Sequence, residues 1–300
     1  MAAMVDAVTY QASDFVEQCM AAELSFELID SATAEEMLEC NTSNYRNLSD
    51  STVLRYMKDL ESGLWTHTTA TVSFTASGVL VDGQHRLNAI ARSGKSVWMF
   101  VLRNLPEEFA NDPNQDKGKM RSVSVFINKL GVKNAATASS AIRFLHRLAV
   151  GASASRNGGS SSLTDSQVLR CVEFMPQMFF DWVNTVSASS TVKKVFAPSV
   201  NAGFFYLAAA HNAEAAQSFF DVYSRRVDES SSHPANTLRE QVIGSRKLTD
   251  NGKFLNLAFA AFSGALRGEH RKLIRRFGDL QLPAGSKKAL DHLLEILNTK

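Results

Sequence analysis

The stretch Val79-Leu80-Val81-Asp82-Gly83-Gln84-His85-Arg86-Leu87-Asn88-Ala89-Ile90 constrains the fold of this chain more than any other. Three consecutive apolar residues with strand character stop at Asp82-Gly83, and the residues that follow read as helix until Ser93-Gly94. A strand that hands over to a helix across one glycine concentrates backbone donors and the positive end of the helix dipole at a single point. The fold around it must be mixed, with strands and helices interleaved.

The neighbouring residues extend this pattern. Thr69, Thr71 and Ser73 alternate with Ala70, Val72 and Phe74, as in a half-buried strand, and Val97 to Leu102 is the clearest strand in the chain. Ahead of them, Ser49 is placed to cap a helix with Val53, Leu54, Met57 and Leu60 on one face and Gly63 as its stop. Residues 1–40 read as a lead-in helix and residues 41–122 as a compact mixed domain. Beyond residue 123 the periodicity is helical almost throughout. Connecting helices are expected over 123–150, a Gly- and Ser-rich linker over 151–162, and a helical domain over 163–300. Within the last, Thr164 and Gln167 fit a capping box, and helices are expected at 201–224, 235–244, 252–266 and 287–298. The fold class is therefore α+β.

Composition narrows the function classes. Apolar residues make up 45% of the 300, enough to fill a real core. The formal net charge of +2 argues neither for nor against a polyanionic partner, so the distribution of charge must decide. Cys19, Cys40 and Cys171 form no CxxC pair, which suggests neither a zinc site nor a disulfide framework. No apolar run approaches the length of a membrane span, and a soluble, cytoplasmic protein is expected.

The chemistry sits at residues 82–86. Gly83 permits a tight turn and close approach of a ligand, and the helix beginning near Gln84 favours an anion, above all a phosphate. Arg86 adds a fork of donors suited to phosphate oxygens, while His85 titrates near neutrality and can act as donor, acid or base. Asp82 can hold a metal ion or orient His85 or Arg86. A plain turn, with His85 and Arg86 on an exposed helix face, accounts for the same residues.

Asp82-Gly83-Gln84-His85-Arg86 followed by Leu87 and Ala89 resembles the signature of the DGQHR branch of the ParB/sulfiredoxin superfamily. In ParB proteins the matching segment, Gly-Glu-Arg-Arg, opens a helix that contacts nucleotide phosphates. In sulfiredoxins it is Gly-Cys-His-Arg, with the cysteine as nucleophile. Gln84 stands in that cysteine's place, so the resemblance implies phosphate binding through Gly83, His85 and Arg86 without sulfinic-acid reductase chemistry. Two flanking segments are similar to the branch as well. Asn44-Tyr45-Arg46-Asn47-Leu48, ahead of Gly63-Leu64-Trp65, puts Asn44 and Arg46 within reach of the site, while a surface position accounts for Arg46 as well. Asp116 to Ser122 is a glycine-centred loop in which Lys117, Gly118, Lys119, Arg121 and Ser122 offer a second phosphate contact, or else it is a solvated basic loop. Trp65 reads as a core anchor.

The resemblance covers roughly residues 40–150 and implies a phage- or plasmid-type protein that binds a nucleoside triphosphate, with Mg2+ as an accompanying ion, and couples it to DNA. NTPase or other phosphoryl-transfer activity through His85 and Asp82 is one outcome. A non-catalytic DNA-binding regulator of the DGQHR type, or a nucleotide- or base-modifying enzyme of phage DNA metabolism, is the alternative. Arg267, Arg271, Lys272, Arg275 and Arg276 recur at helical spacing after Gly264, as in a stripe along a phosphate backbone. A solvated helix face explains them equally. The metal ligands, if any, and self-association are left open.

Overall fold

The computed structural model describes residues 15–41, 48–111, 122–151, 162–225, 232–245, 248, 250–275 and 280–299. The chain divides after Met120 into two compact units. The fold class is α+β: the first unit carries a four-stranded sheet, and the described residues of the second are helices and their connections.

In the first unit, α1 (residues 15–20) is followed by β1 (Glu23–Ile29), α2 (Ser31–Glu39), α3 (Asp50–Glu61), β2 (Thr71–Thr75), β3 (Leu80–Asp82), α4 (Gln84–Ser93) and β4 (Val97–Leu105). The sheet order is β1-β4-β2-β3, with β4 and β2 parallel and the outer pairs antiparallel. The lead-in helix expected over residues 1–40 is interrupted, because Glu23–Ile29 is a strand. Its residues alternate with period two, Leu24, Phe26 and Leu28 against Ser25, Glu27 and Ile29, which a helix cannot sort onto two faces.

Local signals elsewhere hold. The Ser49 side chain accepts the Thr52 N–H to cap α3, and Gly94, at φ 64°, closes α4. Val53 and Leu60 are buried on α3, whereas Leu54 is 46% exposed and stands off the packed face. The strand β2 is shorter than the alternation suggests and is buried from Val72 to Thr75, so both its faces are covered. The core joins Val72, Phe74, Leu80, Val97, Met99 and Val101 of the sheet to Ala34, Met37, Leu87 and Ile90 of the helices. Trp65 packs on this core, its ring edge-on to Tyr56 at 5.7 Å, as a core anchor should.

The second unit is built on α10 (Pro198–His211), every residue of which from Val200 to Ala209 is buried. A helix apolar on all sides can only sit inside others. Around it lie α5 (Val123–Lys129), α6 (Ala135–Ala149), α7 (Asp165–Phe174), α8 (Gln177–Ala188), α9 (Ser190–Val195), α11 (Ala213–Ser224), α12 (Pro234–Gly244), α13 (Asn251–Leu266) and α14 (Ala284–Asn298). The helix expected over 201–224 is two, because Asn212 takes an extended conformation and caps α11 through the Ala215 N–H. The capping box at Thr164 and Gln167 forms. Val123, Ile127, Ala138 and Phe144, from the expected connecting helices, belong to the same core as Val168 and Cys171 of α7. The Gly- and Ser-rich stretch therefore joins two helices of one unit; its residues 152–161 lie outside the described ones.

Candidate functional site

The strand-to-helix junction forms where the sequence places it. β3 ends at Asp82, Gly83 occupies the N-cap of α4 at φ 112°, and Gln84 is the first helical residue. A Cβ on Gly83 would meet Val72 atoms at 3.1–3.2 Å, so packing against β2 and backbone conformation both demand glycine here. With glycine at the cap, the N-terminus of α4 carries no side-chain cap.

The four side chains around Gly83 are drawn into the fold. One Asp82 carboxylate oxygen accepts the Gly83 N–H at 2.7 Å, and the other accepts from Arg86 Nη2 at 2.8 Å. The same Nη2 donates to the Thr71 carbonyl of β2 at 2.9 Å, leaving the Arg86 side chain only 11% exposed. His85 Nε2 accepts the backbone N–H of Ser49 at 3.0 Å, which places the neutral-ring acceptor on the cap residue of α3. Gln84 is buried and accepts from Asn41 Nδ2 at 3.3 Å, while its own carbonyl accepts from Asn88. Asp82 thus orients Arg86, one of the two roles its position allowed, and Arg86 is not the exposed helix residue of a plain turn.

Two polar atoms beside the junction lack partners. Among the described residues, Arg86 Nη1 and Asn41 Oδ1 are both shielded from solvent and find no hydrogen-bond partner. Buried groups of this kind normally carry a cost of about 1–3 kcal/mol each, and they recur where a ligand completes the set. The sequence does not mark Asn41, which looks like an ordinary turn residue after α2. Its link to Gln84 spans 43 positions and exists only in the folded chain.

Asn44, Arg46, Lys117, Gly118, Lys119 and Arg121 lie outside the described residues. Ser122 is the N-cap of α5 in the second unit, and its hydroxyl pairs with that of Ser124 at 2.7 Å. The expected cationic stripe is not helical. α13 ends at Leu266, Gly268 takes φ 66°, and residues 269–275 run without helix. Arg267 and Arg271 instead bracket Glu269, each Nε donating to one carboxylate oxygen at 2.6 Å. Lys272 and Arg275 follow in the same irregular segment, and Arg276 lies outside the described residues.

Charge is segregated along the chain. Residues 1–120 carry 9 Lys and Arg against 17 Asp and Glu, a net of −8; residues 121–300 carry 23 against 13, a net of +10. The modest total conceals this division, which separates an acidic sheet-bearing unit from a basic helical one.

The first unit also contains a cleft of about 420 Å³ lined by Glu27, Met37, Cys40, Phe74, Thr75 and Arg103, among others, and by none of residues 82–86. Arg103 spans Ser25 to reach Glu27 with both terminal nitrogens, and the guanidinium sits 5.8 Å from the Phe74 ring centroid. This fork holds the Glu27 carboxyl below its ordinary range and raises the Arg103 pKa in turn. Among the described residues no group of three or more His, Cys, Asp and Glu is placed to hold a metal ion, and no helix is long and apolar enough to cross a membrane. No protein-family model, curated protein or solved structure matches the chain.

Proposed function

We propose that the first unit is a ParB/sulfiredoxin-like module that takes a nucleoside triphosphate at the N-terminus of α4, and that the basic second unit makes the contact with DNA. The observation that carries the nucleotide reading is the pairing of a glycine-capped helix N-terminus with two buried, unpartnered polar atoms, Arg86 Nη1 and Asn41 Oδ1, on the residues around it. A phosphate suits the helix end and the arginine, and a sugar or base donor suits the asparagine oxygen. An acidic unit repels a bare triphosphate, so the magnesium complex, with less net charge, is the fitting form.

Binding is favoured over turnover. The single lone pair of His85 Nε2 already accepts the Ser49 N–H, and a general base needs its lone pair at the substrate. The same engagement suits a regulator that senses a nucleotide without hydrolysing it. Coupling is tested by the affinity for duplex DNA, measured over a range of salt with and without each magnesium nucleotide. One nucleotide should change the affinity at least about fivefold, the lower end of ordinary allosteric coupling. Identical affinities under every condition would contradict the coupling.

A further inference from the structure

The sheet of the first unit has one face covered by helices and one bearing an apolar ladder. On β1, Leu24, Phe26 and Leu28 are 63%, 48% and 50% exposed, and Trp98 of β4 is 47% exposed. The register sets Leu24 against Leu102, Phe26 against Phe100 and Leu28 against Trp98, so three cross-strand pairs lie side by side. Phe26 stacks on Trp98 at 5.3 Å and leans on Phe100 at 4.9 Å, which makes a continuous aromatic centre flanked by leucines. His67 completes one border, bonded to the Trp98 carbonyl at 3.1 Å. No charged side chain interrupts the six. The opposite side chains of the same strands, Ile29, Val97, Met99 and Val101, fill the core.

We propose that this face is where two copies of the chain associate, the β1–β4 ladders packing against one another across a twofold axis as in a β-sandwich. The area is adequate. Half-exposed Trp, Phe and Leu side chains leave on the order of 500 Å² uncovered per copy, or about 1,000 Å² for a pair, which reaches the lower bound of a specific interface. A patch of about 500 Å² is in the range of the largest on a typical monomer, and such patches often mark a functional surface. Stacked aromatics on a sheet would also suit unpaired nucleic-acid bases, but the −8 charge of residues 1–120 opposes any polyanion there. A ladder apolar at every position matches itself under a twofold rotation and needs no complementary charge.

The test is sedimentation equilibrium of the full chain, beside Phe26→Thr/Trp98→Thr, which keeps strand-forming residues at both positions. The wild type should dimerise, and the double variant should weaken the dimer at least about tenfold with unchanged circular dichroism. Association should also tighten as salt is raised, because salt screens the repulsion between two acidic units. A wild-type chain still monomeric at about 100 μM would overturn the proposal. So would a dimer that survives the double substitution, or a monomer whose melting temperature falls sharply with it, since the face would then be covered within one chain. Nucleotide binding at α4 is a separate reading and stands or falls on its own assay.

Discussion

Asp82 and Arg86 form an ion pair across the first turn of α4, at 2.8 Å, and the arginine nitrogen in that pair also donates to the Thr71 carbonyl of β2. One guanidinium therefore ties together the end of β3, the start of α4 and the adjoining strand. Arg86→Ala would remove the donor shared by the Thr71 carbonyl and an Asp82 oxygen, at a cost of about 1–3 kcal/mol in unfolding free energy. Arg86→Lys, which keeps the charge but not the fork, should recover part of it. Chemical denaturation measures both; an Arg86→Ala protein as stable as the wild type would show that the pair contributes nothing.

Gly83 and Gly94 bracket the same helix with different demands. Both have positive φ, but only Gly83 has Val72 within 3.2 Å of where a Cβ would sit, while Gly94 has nothing within 4 Å. Gly94→Ala should cost about 1 kcal/mol, the ordinary conformational penalty. Gly83→Ala should cost more, about 2 kcal/mol or above, since strain and overlap add. Equal losses would mean that Val72 yields freely.

His233 gives the second unit a pH dependence. Its Nδ1 accepts the Ala235 N–H at the N-terminus of α12, a bond that only the unprotonated nitrogen can make. Burial, and secondarily the charge of His270, hold its pKa below the usual 6.5. The unfolded chain thus binds the proton more readily than the folded one. Stability present above pH 6.5 is lost as the pH falls through that value toward the lower folded pKa. His233→Asn keeps a cap without a titrating group and should flatten the curve between about pH 7 and 5. An unchanged slope would assign the dependence to other groups.

Arg147 is a cation without compensation. Among the described residues its Nε is shielded from solvent with no hydrogen-bond partner, and burial, together with the charge of Arg143, lowers its pKa. Arg147→Met retains most of the volume and removes the desolvated charge. It should stabilise the protein by about 1 kcal/mol, or about 2–4 °C in melting temperature for a unit of this size. A loss of stability would show that the guanidinium has a partner in solution.

Where local signals dominate, the sequence is a good guide to this fold. The β3–α4 junction follows from an apolar run, a glycine and a helical period, and the caps at Ser49 and Thr164 follow from side chains that reach only a few residues. The misread segments have a common cause. Arg267 to Arg276 repeat at helical spacing, but charge periodicity without an apolar stripe gives a helix nothing to pack, and α13 stops at Leu266. Over Glu23–Ile29, residues that read as part of a lead-in helix form β1 instead, because their alternation is satisfied by pairing with β4, far along the chain. At residues 82–86, residue identity marked the junction where β3 ends and α4 begins. Their partners, Asn41 for Gln84, Ser49 for His85 and Thr71 for Arg86, are brought to them by tertiary packing and leave no mark in spacing.

Completion of the junction at Gly83 by a phosphate ligand is tested most directly by a thermal-shift series with magnesium NTPs and dNTPs. A nucleotide at about a hundred times its dissociation constant adds roughly 2.7 kcal/mol to the folded state, a shift of several degrees. The wild type should show that shift for at least one nucleotide. Arg147→Met, in the other unit, should keep it, and Arg86→Ala, compared with its own ligand-free melting point, should lose it. No shift with any nucleotide, or one that survives Arg86→Ala undiminished, would contradict the assignment.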